Sequence, residues 1–223
     1  MKPKTVPTCY ACGQPATTKE HAPPQSFFPK GHRNNLITVP SCAVHNNDNS
    51  QDVEYARNII SVTNGVNEVG TQHFLRKGVA SLEHTPALLV TSFSDIRPLS
   101  IDGQTVGAFT LDTDRIDRVI SATLTALHFH ETREKLVRWH VVIPNRGFSS
   151  RNNTPEEMQK WTRFMSMFTQ ISYTPRTTGS PEVFRYAVSD LKDGWVYQLV
   201  FYNGYFFFGL GSNQIVSDDL NRQ

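Results

Sequence analysis

Cys9-Tyr10-Ala11-Cys12 and Cys42-Ala43-Val44-His45-Asn46 are the two stretches on which the reading of this chain turns. Each holds two metal-ligating side chains separated by two residues, and Cys42 follows Cys12 by thirty residues. Zinc takes thiolate sulfur and imidazole nitrogen in a tetrahedron, and a two-residue gap lets one tight knuckle supply two ligands. Cys9, Cys12, Cys42 and His45 are therefore expected to form a closed Cys3His shell around a structural zinc. The chain has three cysteines in all. An odd number argues against a disulfide framework, and their clustering in the first fifth of the chain favours a metal over redox pairing.

The segment around these knuckles is rich in Pro, Asn and Cys and poor in Leu. It has little apolar material of its own, and zinc binding can stand in for the missing core because binding free energy becomes folding free energy. Residues 1–33 carry Lys2, Lys4, Lys19, Lys30 and Arg33 against Glu20 alone, five minus one or a local +4. A basic patch of that kind suits phosphate.

Between the knuckles lie Lys19-Glu20-His21 and Asn34-Asn35-Leu36, and Asn46 follows the fourth ligand directly. With these residues the first 60 positions resemble the HNH (ββα-metal) endonuclease superfamily, in particular its zinc-containing recombination endonuclease VII-like branch. The resemblance implies an acidic-His pair on a first strand (Glu20, His21). It implies a central Asn bracing the connecting loop (Asn35) and a metal-binding residue on the helix (Asn46). The chain departs from the commoner pattern in His45, where Cys is usual, in Asn46, where many members have His, and in Glu20, where Asp is more frequent.

The chemistry implied is hydrolysis of a phosphodiester bond. A neutral His21 takes a proton from the attacking water. Glu20 and Asn46 offer hard oxygen donors to a divalent ion, Mg2+ or Mn2+. Asn35 holds the loop and helps orient His21. Lys30 and Arg33 are candidate phosphate contacts, His32 reads as an exposed histidine, and Asp48 and Asn49 are reserve metal ligands. DNA is the implied substrate, branched DNA by the endonuclease VII likeness, with RNA left open. An alternative is a zinc knuckle that binds nucleic acid without cutting it. A homodimer or a regulatory protein partner is compatible with a small site that cuts both strands, and phage defence or mobile-element biology is the associated setting.

The fold expected is α+β, with a nuclease module over residues 1–65 and a larger α+β domain of unassigned role over 66–223. A helix is predicted over Asp52–Ser61, with Ser50 as cap and Val53, Ala56, Ile59 and Ile60 as its apolar stripe. A strand is predicted over 87–92 and another over 106–111 after a turn at Gly103. A long helix opens at Asp112 or Thr113, with Ile116, Val119, Ile120, Thr123, Leu124 and Leu127 on one face. Strands follow over 138–143 and 183–188. Thr154-Pro155-Glu156-Glu157 reads as a capping box opening a second long helix. Asn203-Gly204 predicts a type I′ turn in a C-terminal hairpin. The aromatic run Phe201, Tyr202, Tyr205, Phe206, Phe207 and Phe208 is read as the buried face of that hairpin rather than a stacking platform for bases. His128 and His130 read as cations near a helix end, and His73, His84 and His140 show no partner pattern.

Composition is that of an ordinary globular chain, with 38% hydrophobic and 19% charged residues and a net charge of +2, which argues against wholesale disorder. No apolar run of 18 residues is present, so no membrane span is expected, and the N-terminus lacks an apolar signal core. A cytoplasmic protein is the expectation.

Overall fold

A computed structural model describes residues 7–47, 50–84, 92–101, 103–135, 138–143 and 154–212. The strand expected over 87–92 falls almost wholly outside them, as do Asp48, Asn49, Lys2 and Lys4.

The N-terminal part is a small antiparallel pair, β1 (Thr18–His21) and β2 (Thr38–Ser41), with Glu20 opposite Val39 and His21 opposite Thr38. The short helix α1 (Ala43–Asn47) follows immediately. Helix α2 runs Ser50–Val62, beginning two residues before the Asp52 expected. Ala56, Ile59 and Ile60 of its predicted stripe are fully buried and Val53 partly so. Burial goes further than the stripe, for Arg57, Asn58 and Ser61 are enclosed as well. Helix α3 (Glu68–His73) is capped by Asn67, whose side chain accepts from Gly70 N. It passes through a π-helical turn, Phe74–Gly78, into α4 (Val79–His84). Strands β3 (Ser94–Ile101) and β4 (Gln104–Thr110) form a separate ribbon turning at Gly103.

Helix α5 (Thr113–Thr132) starts where the sequence places it, with the Asp112 side chain accepting from Arg115 N. All six residues of its predicted face are buried. Strands β5 (Trp139–Val142), β6 (Thr174–Arg176), β7 (Phe184–Leu191), β8 (Gly194–Phe201) and β9 (Tyr205–Ser212) form one antiparallel sheet in the order β5-β9-β8-β7-β6. Helix α6 (Pro155–Thr169) carries the predicted capping box, both of its hydrogen bonds formed through Thr154 and Glu157.

The strands' period of two decides which side chains meet which helix. Tyr197, Leu199 and Phe207 join the main core with α5, while Val196 and Phe208 join a smaller core under α6, where the Phe168 and Phe208 rings stack at 4.3 Å. The main core also contains Cys9, Tyr10, Phe27, Phe28 and Val39. Apolar side chains from both ends of the chain are thus buried together.

The C-terminal hairpin forms, but its turn is shifted by one residue from the expected Asn203-Gly204. Positive φ falls on Tyr202 (47°) and Asn203 (58°), and Gly204 N bonds to Phe201 O at 3.1 Å. A bulky residue at positive φ is costly, and burial of the Tyr202 ring offsets that cost. Gly204 serves close approach instead, because a Cβ there would lie 2.0 Å from the carbonyl oxygen of Gly65. Of the aromatic run only Phe206 is exposed, at 38%; Phe201, Tyr202, Tyr205 and Phe207 enter the main core and Phe208 the smaller core under α6, so the hairpin is buried on both faces rather than on the one expected. No helix among the described residues is long and apolar enough to cross a membrane.

Gly204→Ala is expected to cost about 1–3 kcal/mol in urea denaturation, the range for forced overpacking. Gly103→Asn, at φ 79° with open space around it, should be near neutral. Equal midpoints for wild type and Gly204→Ala would show that the close approach is not real.

Candidate metal centre and adjoining cleft

The ligand atoms of Cys9, Cys12, Cys42 and His45 lie within 4.8 Å of one another. Cys12 Sγ is 3.9 Å from Cys42 Sγ, and Cys42 Sγ is 3.2 Å from His45 Nδ1. Two thiolates on a tetrahedral zinc stand about 3.8 Å apart, so the sulfur spacing fits the ion. The local backbone explains the cluster. Cys9 N bonds to Gln14 O at 2.7 Å and Gly13 N to Cys9 O at 3.1 Å, closing the first knuckle, and Tyr10 N to Pro40 O at 2.9 Å ties it to β2. Asn46 N bonds to Cys42 O at 3.1 Å, which starts α1 and swings His45 back over Cys42.

Electrostatics favours a cation here. Burial opposes ionisation of Cys9, but the backbone around Cys12, Ala11 and Cys42, together with the Cys12 thiol, outweighs it and brings its pKa down to about 6. Cys12 moves the other way. The Gln14 backbone lowers it, yet burial and the facing Cys9 and Cys42 sulfurs hold it above its ordinary value. Sulfurs that resist sharing negative charge are relieved by a metal. The cluster can hold a metal such as zinc.

Beside it lies a small cleft of about 40 Å3, partly open to solvent and lined by Glu20, His21, His45 and Asn46 on one side. Thus β1 and α1 bring three of the four predicted catalytic side chains to one place. Asn35 is not among them. It is exposed, adopts φ 51° on the approach to β2, and has no side-chain hydrogen bond to His21 among the described residues. Lys30 is exposed. Arg33 Nε donates to Phe28 O at 2.9 Å, and His32, expected to be a free surface residue, meets Glu182 at 2.6 Å.

Burial raises the Glu20 carboxyl to about 7 against a hydrogen bond from the His21 backbone, and no cation pairs with it among the described residues. His21 is lowered, by burial first and then by Arg33, so its imidazole is neutral at pH 7.

The opposite wall belongs to α5, through Val119, Ala122, Thr123 and Ala126. The sequence marks Val119 and Thr123 as a core face, and nothing in it marks them as a cleft wall. Tyr10 also lines the cleft, and its pKa is raised by burial and then by Glu20. Its place between two candidate metal ligands, Cys9 and Cys12, was the one available signal. The α5 wall is fixed to α2, because Asp52 receives Arg115 Nε and Arg118 Nε, each at 2.7 Å. Arg115 also lies 4.4 Å over the Tyr55 ring.

Two histidines differ from their sequence reading. His128 is fully buried, not a cation at a helix end, with Trp139, Trp195 and Tyr197 edge-on to its ring and its pKa lowered by burial. His73 is buried against Tyr202. Their partners lie 69 and 129 residues away in sequence.

Comparison with family models, with curated proteins and with solved structures finds no match to this chain.

Purified protein is expected to hold one equivalent of zinc per chain by elemental analysis, and Cys9→Ser to lose it with a large fall in melting temperature, since binding and folding are linked. His45→Cys should keep the metal. A metal-free wild type melting at the same temperature as the zinc-loaded one would remove the structural role.

Proposed function

We propose that the chain is a metal-dependent endonuclease of the HNH, or ββα-metal, type, hydrolysing DNA phosphodiester bonds. The observation that carries this reading is the convergence of Glu20, His21 and Asn46 on one cleft beside the Cys3His cluster. The order of elements supports it, since an antiparallel strand pair leads directly into a helix that carries the third residue.

His21 is the general base. Its imidazole is neutral at pH 7 and takes a proton from the water that attacks phosphorus, while the bond from phosphorus to the 3′ oxygen breaks. Glu20 and Asn46 fit a hard divalent ion such as Mg2+ or Mn2+, because a desolvated carboxyl with no cation partner among the described residues and an amide oxygen share one cleft. Such an ion, when bound, supplies charge neutralisation at the phosphate and the leaving oxygen. Tyr10 and the α5 wall limit water on the far side. Arg33, whose charge reaches His21, and the exposed Lys30 are the cations offered for phosphate contact. Asn35 acts through its left-handed backbone, which turns the chain into β2, rather than through its amide.

The test is nicking of plasmid DNA with Mg2+, against EDTA and against His21→Ala. Loss of one general base is expected to slow cleavage at least 100-fold. If His21→Ala cuts at the wild-type rate, the assignment is wrong. Retained DNA binding with no cleavage by either protein would favour a binding module instead.

The pH dependence follows from Glu20. Below about pH 7 its carboxyl is protonated before metal binds, and a divalent ion must displace that proton. The Mg2+ concentration for half-maximal rate should therefore rise about tenfold per pH unit below 7 and level off above it. With Glu20→Gln that dependence should vanish; a dependence unchanged in Glu20→Gln would assign it to another group.

A further inference from the structure

We propose that Arg33, Arg57 and Lys77, with the Nε2 edge of His73, form a second anion site that takes a phosphate group, separate from the Glu20–His21 cleft. Its position beside that cleft and its sharing of Arg33 are all it borrows from the nuclease reading.

The argument starts at Tyr202. Its hydroxyl donates to Phe27 O at 2.5 Å, so its oxygen accepts the Nδ1–H of His73 at 2.8 Å. This fixes the tautomer of a neutral His73, with the lone pair on Nε2. His73 is 5% exposed, and Nε2 is buried without a hydrogen-bond partner among the described residues. One residue beyond Phe27, the Phe28 carbonyl holds Arg33, which brings a guanidinium to the same corner.

On α2, Arg57 is 3% exposed. Asn58 Oδ1 accepts from its Nε at 3.2 Å and its Nη2 at 2.8 Å, and Glu54 accepts from Nη2 at 3.3 Å. Its Nη1 donates to nothing among the described residues. Asn58 Nδ2 is a second buried donor left over. Native interiors satisfy such groups, so the two buried unpartnered atoms, His73 Nε2 and Asn58 Nδ2, point to a missing polar occupant.

The sign of that occupant follows from charge. Burial, then Arg57, Lys77, Arg33 and His32, push His73 down to about 4. Burial, then Arg57 and Arg33, lower Lys77. Glu54 opposes them but already accepts from Arg57 and from Ser81 Oγ, and His32 is paired with Glu182. The corner therefore keeps net positive charge with free donors, as an anion requires. Phosphate fits it chemically. Its oxygens accept from Arg57 Nη1, Asn58 Nδ2, Arg33 and Lys77, and a protonated phosphate offers Nε2 the donor it lacks. Arg33 acts electrostatically on His21 as well, so the site borders the approach to the cleft. A nucleic-acid 5′-phosphate and free phosphate share this chemistry.

The test uses zinc-loaded full-length protein in EDTA-free chloride buffer of constant ionic strength at pH 7.5. Titration calorimetry with inorganic phosphate should show one saturable site. Lys77→Gln and Arg33→Gln, both at accessible positions, should each weaken it at least tenfold while leaving circular dichroism unchanged. The His73 Nε2 resonance should move on phosphate addition. A 5′-phosphorylated oligonucleotide that competes better than its 5′-hydroxyl twin would identify a strand end as the source; equal competition by the two would identify free phosphate. No saturable binding, or wild-type affinity in both variants, overturns the site. Either result leaves the nuclease reading to be decided by His21→Ala, because phosphate binding requires no cleavage.

Discussion

The hydrogen bond from the Tyr202 hydroxyl to the Phe27 carbonyl joins the two ends of the chain, 175 residues apart. A phenol as buried as this one is destabilising unless its hydroxyl is satisfied, and leaving it unsatisfied costs about 1–3 kcal/mol. The bond sits inside a tight seam. Phe27 packs on Phe201 at 5.3 Å between ring centres, Asn67 N bonds to Tyr202 O at 2.8 Å, and Asn67 Nδ2 bonds to Glu182 O at 2.8 Å. Gly70 is the only residue type that fits under the Tyr202 ring, since a Cβ there would meet Cγ at 2.8 Å. The N-terminal segment lacks apolar mass, and this seam lends it the core of the C-terminal sheet.

That arrangement changes what a metal bound at the cluster would have to do. A segment closed only by metal would depend on it entirely, but here the loop between the two knuckles is also held from outside, through Phe27, Phe28 and the bond from Ser180 Oγ to His32 O at 2.8 Å. The metal cluster and the Tyr202 seam constrain the same stretch from opposite sides. Glu20 and His21 lie on β1 between them. Neither constraint alone fixes the direction of that strand relative to α1, and the cleft needs both.

How much of this was legible in the sequence depends on distance along the chain. Metal ligands two residues apart, the capping box at Thr154, the face of α5 and the α2 stripe are all local patterns, and the helical or knuckle geometry that produces them spans one or two turns. The shifted hairpin turn was not legible, because Asn203-Gly204 has the right local chemistry and the decision is made by Tyr202 entering a distant core. His73 and His128 were opaque for the same reason, as each takes its meaning from a tyrosine brought in by the sheet. The candidate site divides along this line. Glu20, His21 and Asn46 could be picked out in order, whereas Tyr10 and the α5 wall enter only once α5 is packed across the cleft.

The wall sets a condition on any substrate. Its residues Val119, Ala122 and Ala126 have no polar group to offer a phosphate, and the Thr123 hydroxyl beside them already donates to Val119 O at 2.9 Å, so under the proposed function recognition would come from the Glu20 side and from the cations at the edge. The clamp of Arg115 and Arg118 on Asp52, with its carboxylate pKa lowered by both guanidiniums although burial opposes this, shares one carboxylate between two cations and leaves α5 little freedom to swing away from α2. A site whose far wall is apolar and held in place orients its substrate by exclusion. Under the proposed function, the polar side of the cleft formed by Tyr10, Glu20, His21, His45 and Asn46 is where a phosphate would meet His21, and Arg33, whose charge reaches His21, would face the charge beyond it.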